Sequence, residues 1–166
     1  MCCLFGFYHY GGGEIDKLSR LTNLLAENAT VRGTDAAGIA CNDCGKLIIH
    51  KEAKVAYNID FKHSKSAVCV TGHTRHATQG DKKKNYNNHP FAGACKNLKF
   101  ALSHNGVLIN DADLKKQYHL PKTKIETDSY VAVQLLEKKK QLNVDSVKFM
   151  AESIGTSCDI RTRFLK

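Results

Sequence analysis

A cysteine is the second residue of this chain, and the apolar run Leu4-Phe5-Gly6-Phe7 follows almost at once. The run reads as a buried strand, so the chain is organised around its start. If Met1 is removed, Cys2 carries a thiol and a free α-amino group on one residue: a nucleophile with its base attached. The thiolate is the reactive form of cysteine, and free cysteine titrates near ~8.5. An α-amino group titrates near ~7.7–8.0, so at neutral pH part of it can take a proton. A nucleophile paired with an N-terminal amine is one form of the nucleophile–base dyad. The alternative is a start codon and a chance cysteine, and two residues alone favour that alternative until the rest of the chain is read.

Further along, Gly11-Gly12-Gly13 makes a flexible turn. Leu18, Leu21, Leu24 and Leu25 within 16–28 have helical spacing and predict a helix with one face on a sheet. In the block 31–40, Gly33 and Gly38 suggest close backbone approach, and Arg32 with Asp35 suggests an ion pair at an element boundary. A hairpin follows, with a strand entering at Gly38-Ile39-Ala40, a turn over 42–45 and a return strand over 46–50. Cys41 and Cys44 make a CxxC astride that turn. No second CxxC or histidine pair follows at ligand spacing, so the pair reads as incidental and no metal is expected.

A buried strand over 67–71 runs into Gly72-His73-Thr74-Arg75-His76-Ala77-Thr78-Gln79-Gly80, read as a polar loop past a strand end, where chemistry is often carried. Residues 81–97 read as a polar, lysine-rich loop, and 100–103 as a strand ending at His104-Asn105-Gly106. Asn105-Gly106 could offer an amide and a backbone N–H to an oxyanion, but on local evidence it reads as an ordinary Asn-Gly hairpin turn. Three helices complete the pattern: 111–118, one capped by Thr127 or Asp128 and ending in Lys138-Lys139-Lys140, and one capped by Asp145 and stopped by Gly155. The tail 156–166 has little apolar content and no clear periodicity.

The length of 166 residues suits a single domain over 1–166. No apolar run reaches the length of a membrane span, and the start lacks the basic and long apolar regions of a signal peptide. Seven scattered cysteines do not form a disulfide framework, so a reduced, cytoplasmic protein is expected. The net charge of +9 is spread over the chain and reads as solvated surface. The aromatic–basic interleaving of a nucleic-acid module is not visible, so nucleic-acid binding is a minor reading.

Four separated blocks, Cys2–Gly6, Arg32–Ala40, Gly72–Gly80 and His104–Asn110 followed by Thr127-Asp128, together resemble the glutaminase domain of class II glutamine amidotransferases. These are N-terminal-nucleophile hydrolases, and the chain looks most like the glutaminase domain that feeds ammonia to glucosamine-6-phosphate synthase. The resemblance covers residues 2–155 and implies an α+β fold, a four-layer α-β-β-α sandwich of two antiparallel sheets. It implies hydrolysis of L-glutamine to glutamate and ammonia without a cofactor. Cys2 would be the nucleophile, Asn105 and Gly106 the oxyanion hole, Arg75 the contact to the substrate carboxylate and Asp128 the contact to its ammonium. Thr78 would line the glutamine-binding loop, and Arg32 and His76 would support the site. The ammonia would pass to a separate synthase partner, and no oligomeric state is implied.

The chain departs from the family pattern at Cys3 (usually glycine), His76 (tryptophan in the nearest members) and Ala36 (often serine). The tail 156–166 does not look like the strands with which the family continues, so a fold short of C-terminal strands is expected. From these departures comes a second reading, a catalytically silent truncated homologue acting as a binding subunit.

Overall fold

The computed structural model describes residues 2–11, 16–96 and 98–155. The tail 156–166 and the fate of Met1 lie outside them. Four strands form the first sheet: β1 (Cys3–Tyr8), β2 (Ala36–Asp43), β3 (Lys46–Glu52) and β4 (Ala67–Arg75), in the order β1-β4-β2-β3, all antiparallel. The second sheet is the antiparallel pair β5 (Phe91–Cys95) and β6 (Leu98–Leu102). Helix α1 (Leu18–Ala29) covers the first sheet, and α2 (Asp111–Gln117), α3 (Tyr130–Lys139) and α4 (Val144–Ser153) cover the second. The result is the expected pair of antiparallel sheets between helical layers.

Side-chain alternation separates the layers. On β2 and β4, Ile39, Cys41 and Val70 join Leu18, Ala26 and Phe61 under α1. Their neighbours Ala40 and Cys69 face the other way, onto Ala101 of β6 with Leu47 and Ile49. On β6, Phe100 and Leu102 point to Val131, Leu135, Leu136 and Met150 of the helical layer. Burying each of these large side chains contributes roughly 1.5–3 kcal/mol. Glycines let backbones approach at two places. A Cβ on Gly38 would stand 2.4 Å from the His89 carbonyl, and one on Gly33 would stand 2.7 Å from the Arg75 backbone. The close approach read at both glycines is therefore present.

Several boundaries differ from expectation. Strand β4 continues to Arg75, so Gly72 to Arg75 are buried strand rather than loop. As an inner strand it pairs on both sides, and the ladder holds polar residues that local propensity would not. The 81–97 stretch contains β5: Phe91, Gly93 and Cys95 point inward, and Gly93 leaves room for the Phe100 ring, 2.3 Å from where its Cβ would be. Helix α1 buries Leu18, Thr22, Ala26 and Ala29, while Leu21 and Leu24 stay exposed, because the alanine face lets the helix approach closely enough for Thr74 Oγ1 to donate to the Ala29 carbonyl at 2.8 Å. Asn143, not Asp145, caps α4, in a reciprocal box with Ser146. Ser129 is the cap position of α3, which leaves the Asp128 carboxylate to accept from Leu108 N–H at 2.6 Å. Asn105 and Gly106 follow β6 in an irregular segment that leads to α2, so they are not a hairpin turn.

Candidate active site

The β1–β4 register sets the centre of the site. Cys3 lies opposite Thr74, which brings Cys2 to the end of β4. There His76 N–H donates to Cys2 Sγ at 3.3 Å, and the thiol lies 3.5 Å from the His76 carbonyl. Burial pushes the Cys2 thiol pKa up, against the lowering effect of the His76 N–H. The resting sulfur is therefore held as the thiol and needs a base to react. Cys3, half-buried, directs its thiol to the Leu4 carbonyl at 3.7 Å.

Arg75 is 3% exposed and Asp128 2%. The Arg75 guanidinium donates to Asn88 Oδ1 at 2.6 Å, to the Gln79 carbonyl and to the Gly80 carbonyl at 3.3 Å. Burial lowers its pKa, while the acidic groups of Cys2, Asp35 and Asp128 oppose the shift. Cys2 is thus held on the backbone of His76, the residue after Arg75, and its thiol feels the charges of both Arg75 and Asp128.

The other expected site residues lie on segments joined to Arg75 or Asp128. Asn105 and Gly106 are half-buried, on the segment whose Leu108 N–H is bound to Asp128. Thr78 and His76 are exposed in the 76–80 loop. Arg32 is exposed in the turn Thr30–Arg32, just before Gly33 packs on the Arg75 backbone. Asp35 takes Lys82 as its ion partner at 2.5 Å and accepts from Ala77 N–H at 2.9 Å, with His76 Nδ1 at 3.8 Å. Asp35 is therefore a staple between β2 and the 76–80 loop.

Sequence reasoning missed a layer of supporting residues. Asn88 orients Arg75, and Asn87, fully buried, reads the Glu126 backbone N–H at 2.8 Å and its carboxylate at 2.7 Å. Glu126 also accepts from Lys84 Nζ at 2.9 Å and Asp81 N–H at 3.1 Å. Lys84, then these N–H donors, pull the Glu126 carboxyl down to about 2. No local pattern marks these residues, since Asn88 lies 13 positions from Arg75 and Asn87 lies 39 from Glu126.

Three buried histidines, His73, His89 and His104, lie behind the site. His73 and His89 stack with ring centroids 4.2 Å apart, and His104 N–H donates to His89 Nδ1 at 3.2 Å. Burial pushes His73 down to about 3 and His89 well below its usual value, reinforced by the charges of Arg75 and, for His89, Lys51. Below ~6.5 an unfolded histidine binds a proton that these folded ones refuse, so stability is full above that pH and falls as pH drops through the window. The expected slope is about 1.4 kcal/mol per pH unit for each histidine. Urea midpoints measured from pH 7 to pH 5, above the carboxylate range, should fall steadily; a flat profile would contradict neutral burial.

No protein-family model matches the chain. It is 38% identical over 144 residues to the glutamine–fructose-6-phosphate aminotransferase (isomerizing) of Bacillus thuringiensis subsp. konkukian (strain 97-27), covering 84% of this chain and 22% of that protein. It is 34% identical over 158 residues to the protein of the same name from Oceanobacillus iheyensis, covering 93% of this chain and 25% of that one. The chain belongs to the class II glutamine amidotransferase family. It spans about a quarter or less of the length of these relatives. Among solved structures, the fold of this amidotransferase domain matches the allosteric regulatory enzyme of purine biosynthesis with a TM-score of 0.75 at 22% identity, over 97% of this chain and 34% of that one. It also matches the glutamine phosphoribosylpyrophosphate amidotransferase of B. subtilis with a TM-score of 0.71 at 23% identity, over 92% of this chain and 33% of that one. Among the described residues no helix is long and apolar enough to cross a membrane.

Proposed function

We propose that this amidotransferase domain, spanning 1–166, hydrolyses L-glutamine to glutamate and ammonia through a thioester on Cys2. The observation that carries the reading is the placement of Cys2 Sγ on the His76 backbone, at the end of the strand that carries Arg75, where the charges of Arg75 and Asp128 both act on the thiol. Free glutamine carries a carboxylate and an ammonium on one carbon, and a cation and a carboxylate fix both while its amide reaches the sulfur.

Removal of Met1 frees the Cys2 amino group as the base that the protonated thiol requires. Sulfur adds to the amide carbonyl as its proton moves to that amine. The oxyanion forms against the Asn105 side-chain amide and the Gly106 N–H. The C–N bond then breaks, the amine returns its proton to the leaving nitrogen, and ammonia departs. Water adds to the thioester and releases glutamate, so one difficult step becomes two easier ones. Thr78 lines the glutamine loop, and Arg32 and His76 support it from its rim. The relatives' names include an amino acceptor, fructose 6-phosphate, and this domain would hand its ammonia to a synthase of that kind.

The test is to incubate the purified protein with an electrophilic glutamine analogue and take an intact mass with N-terminal fragmentation. Loss of Met1 and one adduct on Cys2 are expected. A processed Cys2 that takes no adduct would overturn the reading in favour of a silent binding subunit.

A further inference from the structure

The segment His104–Leu108 carries Asn105 and Gly106, and three hydrogen bonds grip it. His104 N–H donates to His89 Nδ1 at 3.2 Å, the His104 ring meets Ser129 Oγ through Nδ1 at 2.9 Å, and Leu108 N–H donates to Asp128 Oδ2 at 2.6 Å. Ser129 Oγ also lies 3.3 Å from Asp128 Oδ1. His104, Asp128 and Ser129 are all buried, at 5%, 2% and 2% exposure.

Donor arithmetic sets the direction of this chain. An ionised carboxylate only accepts, and a serine hydroxyl has one hydrogen. Ser129 gives that hydrogen to Asp128, so the contact with His104 must run from the ring N–H to Oγ. His104 is then the tautomer protonated on Nδ1. Its other nitrogen, Nε2, is buried without a hydrogen-bond partner, as suits an imidazole fixed by one contact on one side. Both ends of the five-residue segment are thereby tied to one carboxylate: Leu108 directly, and His104 through Ser129.

We propose that Ser129 is a positioning residue that couples the oxyanion hole at Asn105-Gly106 to the ammonium-binding carboxylate of Asp128. The proposal rests on the glutaminase reading of the site. Substrate binding at Asp128 and charge stabilisation at Asn105-Gly106 are then held in register by one hydroxyl. Ser129→Ala cuts the tie at the His104 end and leaves that ring N–H buried without an acceptor, while the Leu108 tie and the Asp128 carboxylate remain.

Oxyanion donors act on charge that exists only in the transition state, so the loss should fall on kcat. Ser129→Ala is expected to lower kcat by about 10- to 100-fold, less than the ~10²–10³ that deleting a donor costs. KM for glutamine should change little, and Cys2 should still react normally with iodoacetamide. Ser129→Thr, which restores the hydroxyl, should recover most of kcat. If Ser129→Ala does not fold, the pair His104→Asn and His104→Leu reads the same tie: asparagine can still donate to Oγ and leucine cannot, so leucine should lose more kcat.

An unchanged kcat in Ser129→Ala overturns the proposal. So does a loss that threonine does not rescue, a change confined to KM, or equal losses in the two His104 variants. If wild type itself neither turns over glutamine nor takes the glutamine analogue, the reading of the site fails and this proposal with it. If wild type is active and the variants match it, only this proposal fails.

Discussion

Cys2→Ala is expected to abolish glutamine hydrolysis, lowering kcat by on the order of 10⁴ or more, the scale of loss when a covalent catalyst loses its nucleophile. The fold should survive, because the residue precedes β1 and is only half-buried. A urea midpoint close to wild type beside absent ammonia release would locate the loss in chemistry. Cys3→Ala supplies the contrast. Its thiol lies against the Leu4 carbonyl, so turnover should stay near wild type. Ammonia release measured by a coupled assay on both variants decides the matter: full turnover in Cys2→Ala would remove the thioester mechanism.

The second large effect is expected from Arg75→Lys. The substitution keeps the charge but loses the planar fork that reaches Asn88, Gln79 and Gly80 together. On the proposed reading Arg75 also holds the substrate carboxylate, and disrupting such a buried charged contact costs about 2–5 kcal/mol, so kcat/KM for glutamine should fall by on the order of 10²–10³. Stability should also drop, by about 1–3 kcal/mol for acceptors left short of donors. A substrate analogue with its α-carboxylate amidated separates the two causes. Against it, wild type and variant should converge, because neither gains from the cation. A variant that stays equally impaired on both substrates would show that Arg75 serves the fold alone.

Much of the fold was legible because its signals are local. The hairpin turn over 42–45, the helices with period 3.6 and the apolar run after Cys2 each announce themselves within a few residues. The extension of β4 to Arg75 was not legible, since Gly72-His73-Thr74-Arg75 has loop composition and becomes strand only by pairing with β1 on one side and β2 on the other. The exposed leucines of α1 misled for a related reason: helical spacing marks a face, but the alanine face won because it permits closer packing on the sheet. Of the proposed site, the candidate residues stand in motif blocks that the sequence displays. The residues that hold them, Asn87, Asn88, Glu126 and Ser129, were not legible, because each acts on a partner distant in sequence or through geometry alone.

By itself, then, the sequence determined the chemical inventory: a cysteine at position 2, then Arg75, Asn105-Gly106 and Asp128 in order along one chain. Those are choices of functional group, and a side chain's chemistry is written in its identity. Only the tertiary structure decided that the β1–β4 register sets Cys2 against His76, that Arg75 is steered by Asn88, and that Asp128 holds both ends of the segment bearing Asn105. Hydrogen-bond distance and direction depend on how strands and helices from the whole chain pack, and no local pattern of residues encodes that.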